Sequence, residues 1–122
     1  MCKTDPTTVT ITISATKANP FPPTISDGVS VGSTQTEDDN LTTNVKSGYI
    51  VVFQKGGDIG GITGIYETGG SDVFSTDPQL QPDGTWKGII GAFPANTIES
   101  YGISYTVDAV TYNQDPKIRI NQ

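Results

Sequence analysis

The chain has 122 residues, 34% of them hydrophobic, and seven Lys and Arg against thirteen Asp and Glu give a formal net charge of −6. That length suffices for one domain with a core that needs no disulfide or metal staple, and the negative balance argues against nucleic acid or anionic lipid as partners. Histidine is absent and Cys2 is the single cysteine, so Ser-His-Asp and Cys-His catalysis, imidazole zinc sites, histidine-ligated haem and one-chain iron–sulfur clusters are all excluded.

Thr, Gly, Ile, Val and Pro are plentiful, while leucine occurs only as Leu41 and Leu80. β-Branched side chains lose rotamer freedom in a helix and pack well on a pleated surface, so strand and turn with almost no helix are predicted. No apolar run approaches 18 residues, so no segment has the length of a membrane-spanning helix.

Residues 1–6 read as a flexible polar leader and residues 7–122 as one β-sandwich domain. In residues 7–16, Val9, Ile11 and Ile13 alternate with Thr10, Thr12 and Ser14, the pattern of a strand with one buried face. Asn19-Pro20-Phe21-Pro22-Pro23 breaks regular structure, because proline cannot donate to a sheet ladder, and is predicted as a loop with Phe21 as its buried anchor. Residues 27–40 are rich in Gly, Ser, Thr and acid, with Val29 and Val31 marking a short edge strand before Glu37-Asp38-Asp39-Asn40.

A short strand is expected over residues 41–45, then a Lys46-Ser47-Gly48 turn and a central strand, apolar on both faces, at Tyr49-Ile50-Val51-Val52-Phe53. Residues 62–67 form the next strand, with Ile62 and either Tyr66 or Ile65 facing inward; residues 68–72 are a turn and residues 76–84 a long polar loop. A strand around Trp86, Ile89 and Ile90 follows in residues 85–93. Tyr101, Ile103, Tyr105 and Val107 then alternate with Gly102, Ser104 and Thr106, Asp108-Ala109 turns the chain into Val110-Thr111-Tyr112, and Lys117-Ile118-Arg119-Ile120 closes it. Seven or eight short strands at near-regular spacing predict an all-β fold, a single Greek-key β-sandwich.

Two resemblances bear on this reading. Cys2 followed by Lys3, Thr4 and Asp5 resembles the start of a mature bacterial lipoprotein of the Bacteroidetes type, in which the cysteine carries the lipid. That likeness implies lipidation of Cys2, membrane association through the lipid alone, and a place in the cell envelope, on the outer surface or in the periplasm; a cytoplasmic protein with Cys at its second position is the alternative. The segment Val45-Lys46-Ser47-Gly48-Tyr49-Ile50-Val51-Val52-Phe53 resembles a strand pair of cupredoxin-like domains, and residues 101–107 with 117–120 are similar to their closing strands, a pattern that immunoglobulin-like sandwiches share. Blue-copper members hold their metal with two histidines and a cysteine thiolate; here Ser104 or Tyr105 stands near the cysteine position, so the likeness implies a sandwich without copper.

No phosphate-cradling GxxxxGK[ST] is present, and Gly56-Gly57 and Gly60-Gly61 read as turn glycines. A paired-carboxylate glycosidase would draw on Asp58, Glu67, Asp72 and Glu99, which the sequence places in turns and strand ends, where solvated acid is the commoner role. Calcium is the metal that the acidic loops would suit, through Asp38 and Asp39 beside Glu37 and Asn40, and through Asp77 and Asp83, although neither loop has an EF-hand pattern. Trp86, Tyr66 and Tyr112 are the candidate ligand-stacking residues, with core packing the commoner role for Trp86 and capping of the core, hydroxyl in water, the alternative for Tyr112. The expectation is a non-catalytic cell-envelope binding module for a glycan or a protein, with a self-assembling structural subunit and a carboxylate-based glycan-active enzyme as alternatives.

Overall fold

The alternating Thr, Ile and Val residues do become strands. A computed structural model describes residues 8–28 and 31–120, apart from the side chains of Gln35, Asp39 and Asn40. Cys2, the leader and Val29 lie outside the described residues. In chain order the elements are β1 (Thr8–Ala15), β2 (Thr24–Ser26), β3 (Val31–Gly32), α1 (Gln35–Asn40), β4 (Thr42–Val45), β5 (Ile50–Gly57), β6 (Ile59–Gly70), β7 (Phe74–Leu80), β8 (Trp86–Ile90), β9 (Ile98–Val107), β10 (Val110–Gln114) and β11 (Lys117–Ile120).

The strands form two mixed sheets that face each other as an all-β sandwich. The first has the order β3-β2-β1-β5-β8-β7, with β1 and β5 parallel. In the second, β9 pairs β6 along one edge and β10 and β11 in tandem along the other, and β4 lies parallel to β11 beyond it. Ile11, Ile13, Val51 and Phe53 from the first sheet meet Tyr101, Ile103, Tyr105 and Ile118 from the second in one buried cluster. β5 lies between β1 and β8, as its apolar sequence predicts, and β9 buries the alternate set of residues expected of it.

Four sequence-based expectations are corrected. Eleven strands are present among the described residues, rather than seven or eight, because short pieces such as β2 and β3 pair at the sheet margin. A six-residue helix, α1, occupies part of the 27–40 loop. The hydroxyl of Thr34 accepts from the Glu37 amide at 3.1 Å and the Glu37 carboxylate accepts from the Ser33 amide at 3.0 Å, a variant of the capping box that Thr34-x-x-Glu37 spells out. The expected polar loop at residues 76–84 is β7 as far as Leu80. Asp77-Pro78 is tolerated there because β7 is an edge strand whose register shifts between Thr76 and Gln79.

The predicted turn at residues 68–72 is likewise strand as far as Gly70, which has φ 75° and lies so near the Ile98 carbonyl that a Cβ would come within 2.4 Å of it. Of the two inward candidates on β6, Ile65 packs against the core and Tyr66 is 43% exposed. A register shift between Ile62 and Gly64 lets Ile62 and Ile65 share one face despite their odd spacing.

Candidate functional site

β1 ends at Ala15, and the next residues are held by short-range bonds. The Asn19 amide donates to the Thr16 hydroxyl at 3.0 Å, the Lys17 amide to the Asp58 carboxylate at 3.0 Å, and the Asp58 amide to the Ala15 carbonyl at 2.7 Å. The three prolines that follow keep the loop out of the sheet, and the Phe21–Pro22 peptide is cis. Pro20 is fixed from the second sheet, its carbonyl accepting from the Tyr105 hydroxyl at 2.8 Å. Phe21 is therefore not the buried anchor expected: it is 36% exposed and Pro23 is buried in its place.

The Phe21 ring is nonetheless fixed. It stacks on Tyr112 with centroids 6.3 Å apart and 14° between planes, and Tyr112 stacks on buried Tyr105 at 5.7 Å. Beside Phe21 opens a cleft of about 890 Å³, lined also by Ser14, Thr16, Asn19, Pro22, Thr24, Ser33 and Thr34. None of its lining side chains is ionisable. Charged residues flank it: Lys17 and Asp58 adjoin the lining residues Thr16 and Gly57, and Glu37, near Ser33 and Thr34, has its carboxyl held below its ordinary value by the Ser33 amide and hydroxyl that donate to it. Hydroxyls and an amide around one aromatic face suit a neutral, polyhydroxylated ligand, which offers C–H faces for stacking and many hydrogen-bonding groups.

The three predicted aromatic residues are not brought together. Tyr112 supports Phe21. Trp86 is half-buried between the sheets, and its indole N–H donates to the Ile62 carbonyl at 3.0 Å, tying β8 to β6. Tyr66 lies across Gly102, where a Cβ would come within 2.3 Å of the ring. Its hydroxyl donates to Asn113 Oδ1 at 3.2 Å, and the Ser104 hydroxyl donates to the same oxygen.

The acidic candidates are also dispersed. Asp38 is fully buried in α1, with Oδ2 accepting from Gln114 at 3.2 Å, and the side chain of Asp39 lies outside the described residues. Asp83 caps the β7–β8 turn, accepting from the Thr85 hydroxyl at 2.6 Å and amide at 3.0 Å, bonds that lower its pKa. Asp77 lines a groove of about 280 Å³ at the β6 and β7 edges, together with Glu67, Asp72 and Glu99. No group of three or more Asp, Glu, His or Cys residues is arranged to hold a metal ion among the described residues.

Three of the four carboxylates considered for glycoside cleavage, Glu67, Asp72 and Glu99, thus share one groove, while Asp58 sits at the β5–β6 turn. Glu99 is 3% exposed, and burial pushes its pKa up to about 7, with the negative charges of Asp72 and Glu67 adding to the effect.

Sequence reading missed the neutral cleft. The available signal was the proline cluster around Phe21, since residues of fixed φ on both sides of an aromatic ring make a rigid loop that presents it. In comparisons with known proteins, no family model matches the chain and no curated protein matches it significantly.

Proposed function

We propose that the chain is a non-catalytic recognition module of the cell envelope that binds a neutral glycan in the cleft beside Phe21. One observation carries this reading: an exposed aromatic ring, fixed by the Tyr112 and Tyr105 stack, borders a large cleft that is lined by apolar and hydroxyl-bearing residues and has no ionisable side chain in its lining. A preorganised ring binds a sugar face at little entropic cost. Calcium held by Asp77 and Asp83 or by the Asp38–Asp39 pair of α1 is an optional addition to this reading, not a requirement of it.

The placement of the cleft supports a surface role. β1 runs from Thr8 to Ala15, roughly 23 Å at ~3.3 Å per residue, and the cleft adjoins its Ala15 end. A chain tethered ahead of Thr8, as by a lipid on Cys2, presents the opposite end of β1 to the surroundings. The sheet edges favour recognition over self-assembly by strand addition. Among the described residues β3, β4 and β10 are short, with two, four and five residues, and β6 and β7 carry register shifts. The carboxylate groove supports a structural rather than a catalytic role for Glu99, which is buried and turned to a backbone amide of its own chain, that of Val73, at 2.8 Å.

The test is a glycan-array screen of the protein, with calcium and with chelator, repeated with Phe21→Ala. The expected result is binding to neutral glycans in both buffers, weakened at least tenfold by Phe21→Ala with the melting temperature nearly unchanged. Silence across the array would overturn the glycan reading in favour of a protein ligand, and binding abolished by chelator would move the site to the acidic loops.

A further inference from the structure

Glu99 has an unusual place for a carboxyl group. It sits on β9 in the second sheet, 3% exposed, and accepts a 2.8 Å hydrogen bond from the amide of Val73, which leads into β7 of the first sheet. This bond joins the two sheets across an open side of the sandwich. The connection it holds is otherwise tied by the Ser71 amide to the Ile98 carbonyl at 3.0 Å, the Gly91 amide to the Val73 carbonyl at 2.8 Å and the Phe74 amide to the Asp72 carboxylate at 3.1 Å.

The charged surroundings of Glu99 are one-sided. Glu67 on β6, Asp72 on the connection and Asp77 on β7 line the same groove, and none of the lining residues is basic. On β11, Ile118 is the residue paired with Glu99 and is fully buried, so the alternating Lys117 and Arg119 face away from the groove. On β8, Lys87 alternates with buried Gly88 and half-buried Trp86 and likewise faces outward. The neighbouring Tyr101 hydroxyl is buried and its pKa is raised, so it remains neutral.

We propose that Glu99 is a pH-sensitive latch: protonated, it holds the 71–73 connection across the sandwich, and ionised, it favours release of that connection into water. The Val73 amide bond by itself favours the ionised carboxyl, but that gain is outweighed by the cost of stripping the charge of its water shell beside two further carboxylates, a cost that opening of the connection relieves. The raised pKa of Glu99 is in keeping with this geometry. A group that titrates near 7 when closed and near 4.5 when open favours opening by roughly a hundredfold or more once pH exceeds 7. The latch stands apart from the cleft beside Phe21 and does not depend on the glycan reading.

The experiment is amide hydrogen exchange followed by NMR on the whole chain between pH 5 and 8, corrected for intrinsic rates, together with titration of the Glu99 carboxyl carbon. Val73 protection is expected to fall roughly a hundredfold over this range and to drop below that of Phe53 on β5, which marks local rather than global opening. Glu99→Gln keeps the acceptor for Val73 and is expected to abolish the pH response, and Asp72→Asn is expected to move the Glu99 midpoint down. The proposal is overturned by a Glu99 that titrates as an ordinary carboxylate, by a Val73 response that persists in Glu99→Gln, or by Val73 and Phe53 falling together to one value. Should Glu99→Gln not fold, the wild-type titration and Asp72→Asn decide the matter alone.

Discussion

Tyr101 illustrates how one side chain is specified by its neighbours. Its ring is fully buried and meets Phe53 edge to face at 5.5 Å, yet its hydroxyl has no hydrogen-bond partner among the described residues. Tyr105, two residues along the same strand, directs its hydroxyl to the Pro20 carbonyl. A buried unsatisfied hydroxyl costs about 1–3 kcal/mol in lost hydration. Tyr101→Phe should therefore leave the fold intact and raise its stability by about 1 kcal/mol in urea unfolding, while Tyr105→Phe should lower it. A clear loss on Tyr101→Phe would show that an ordered water satisfies the hydroxyl. The alternation of Tyr101 and Tyr105 was plain in the sequence, but which hydroxyl finds an acceptor depends on a loop some 85 residues away, beyond the reach of local pattern.

At the scale of elements, the β9–β10 hairpin is the closest match between sequence and structure. Asp108 and Ala109 form its two-residue turn with φ of 53° and 67°, and Val107 pairs Val110 directly. Two positive φ values are what a type I′ turn demands, and its twist matches that of the flanking strands. Alanine is a poor residue for that conformation. Ala109→Gly should stabilise the protein by about 1 kcal/mol, seen as a higher melting temperature with an unchanged fold; a neutral or destabilising outcome would show that the strain is relieved elsewhere. α1 and β7 were harder to read. The Thr34-x-x-Glu37 capping signature was present, but six polar residues offer no apolar periodicity, and Asp77-Pro78 masks a strand that survives only because it lies at an edge.

For the molecule as a whole, the charged groups set opposing pH responses. Glu99 binds its proton more tightly folded than unfolded, so its contribution to stability is full below about pH 4.5 and is lost as pH rises to about 7. Glu37 and Asp83 have lowered pKa values, so their contributions are present above the ordinary carboxylate range and are lost as pH falls through it. The melting temperature should therefore peak near pH 5 and decline by roughly 5 °C or more toward pH 8. Glu99→Gln should remove the decline on the neutral side and leave the acid side in place. A wild-type profile that rises from pH 5 to 8 would contradict this assignment.

The sequence by itself determined the class of fold and the location of its centre. Strand formation follows from β-branched composition and period-2 alternation, which are local properties, and the burial of Val51, Phe53, Ile103 and Tyr105 follows from their place in those patterns. The absence of histidine likewise removed histidine-dependent metal and nucleophile chemistry from the possibilities. Only the tertiary structure decided the site. Phe21 read as a core anchor, Trp86 as a core residue with a binding platform as the alternative, and Glu67, Asp72 and Glu99 as scattered surface acid. Folding placed Phe21 at the mouth of a cleft, drew Trp86 between the sheets and gathered the three acids around one groove. The physical reason is that exposure, stacking and pKa are set by contacts between residues far apart in the chain, through strand pairings such as β6 with β9 and β1 with β5. No periodicity within a single segment encodes which distant strand will be its neighbour.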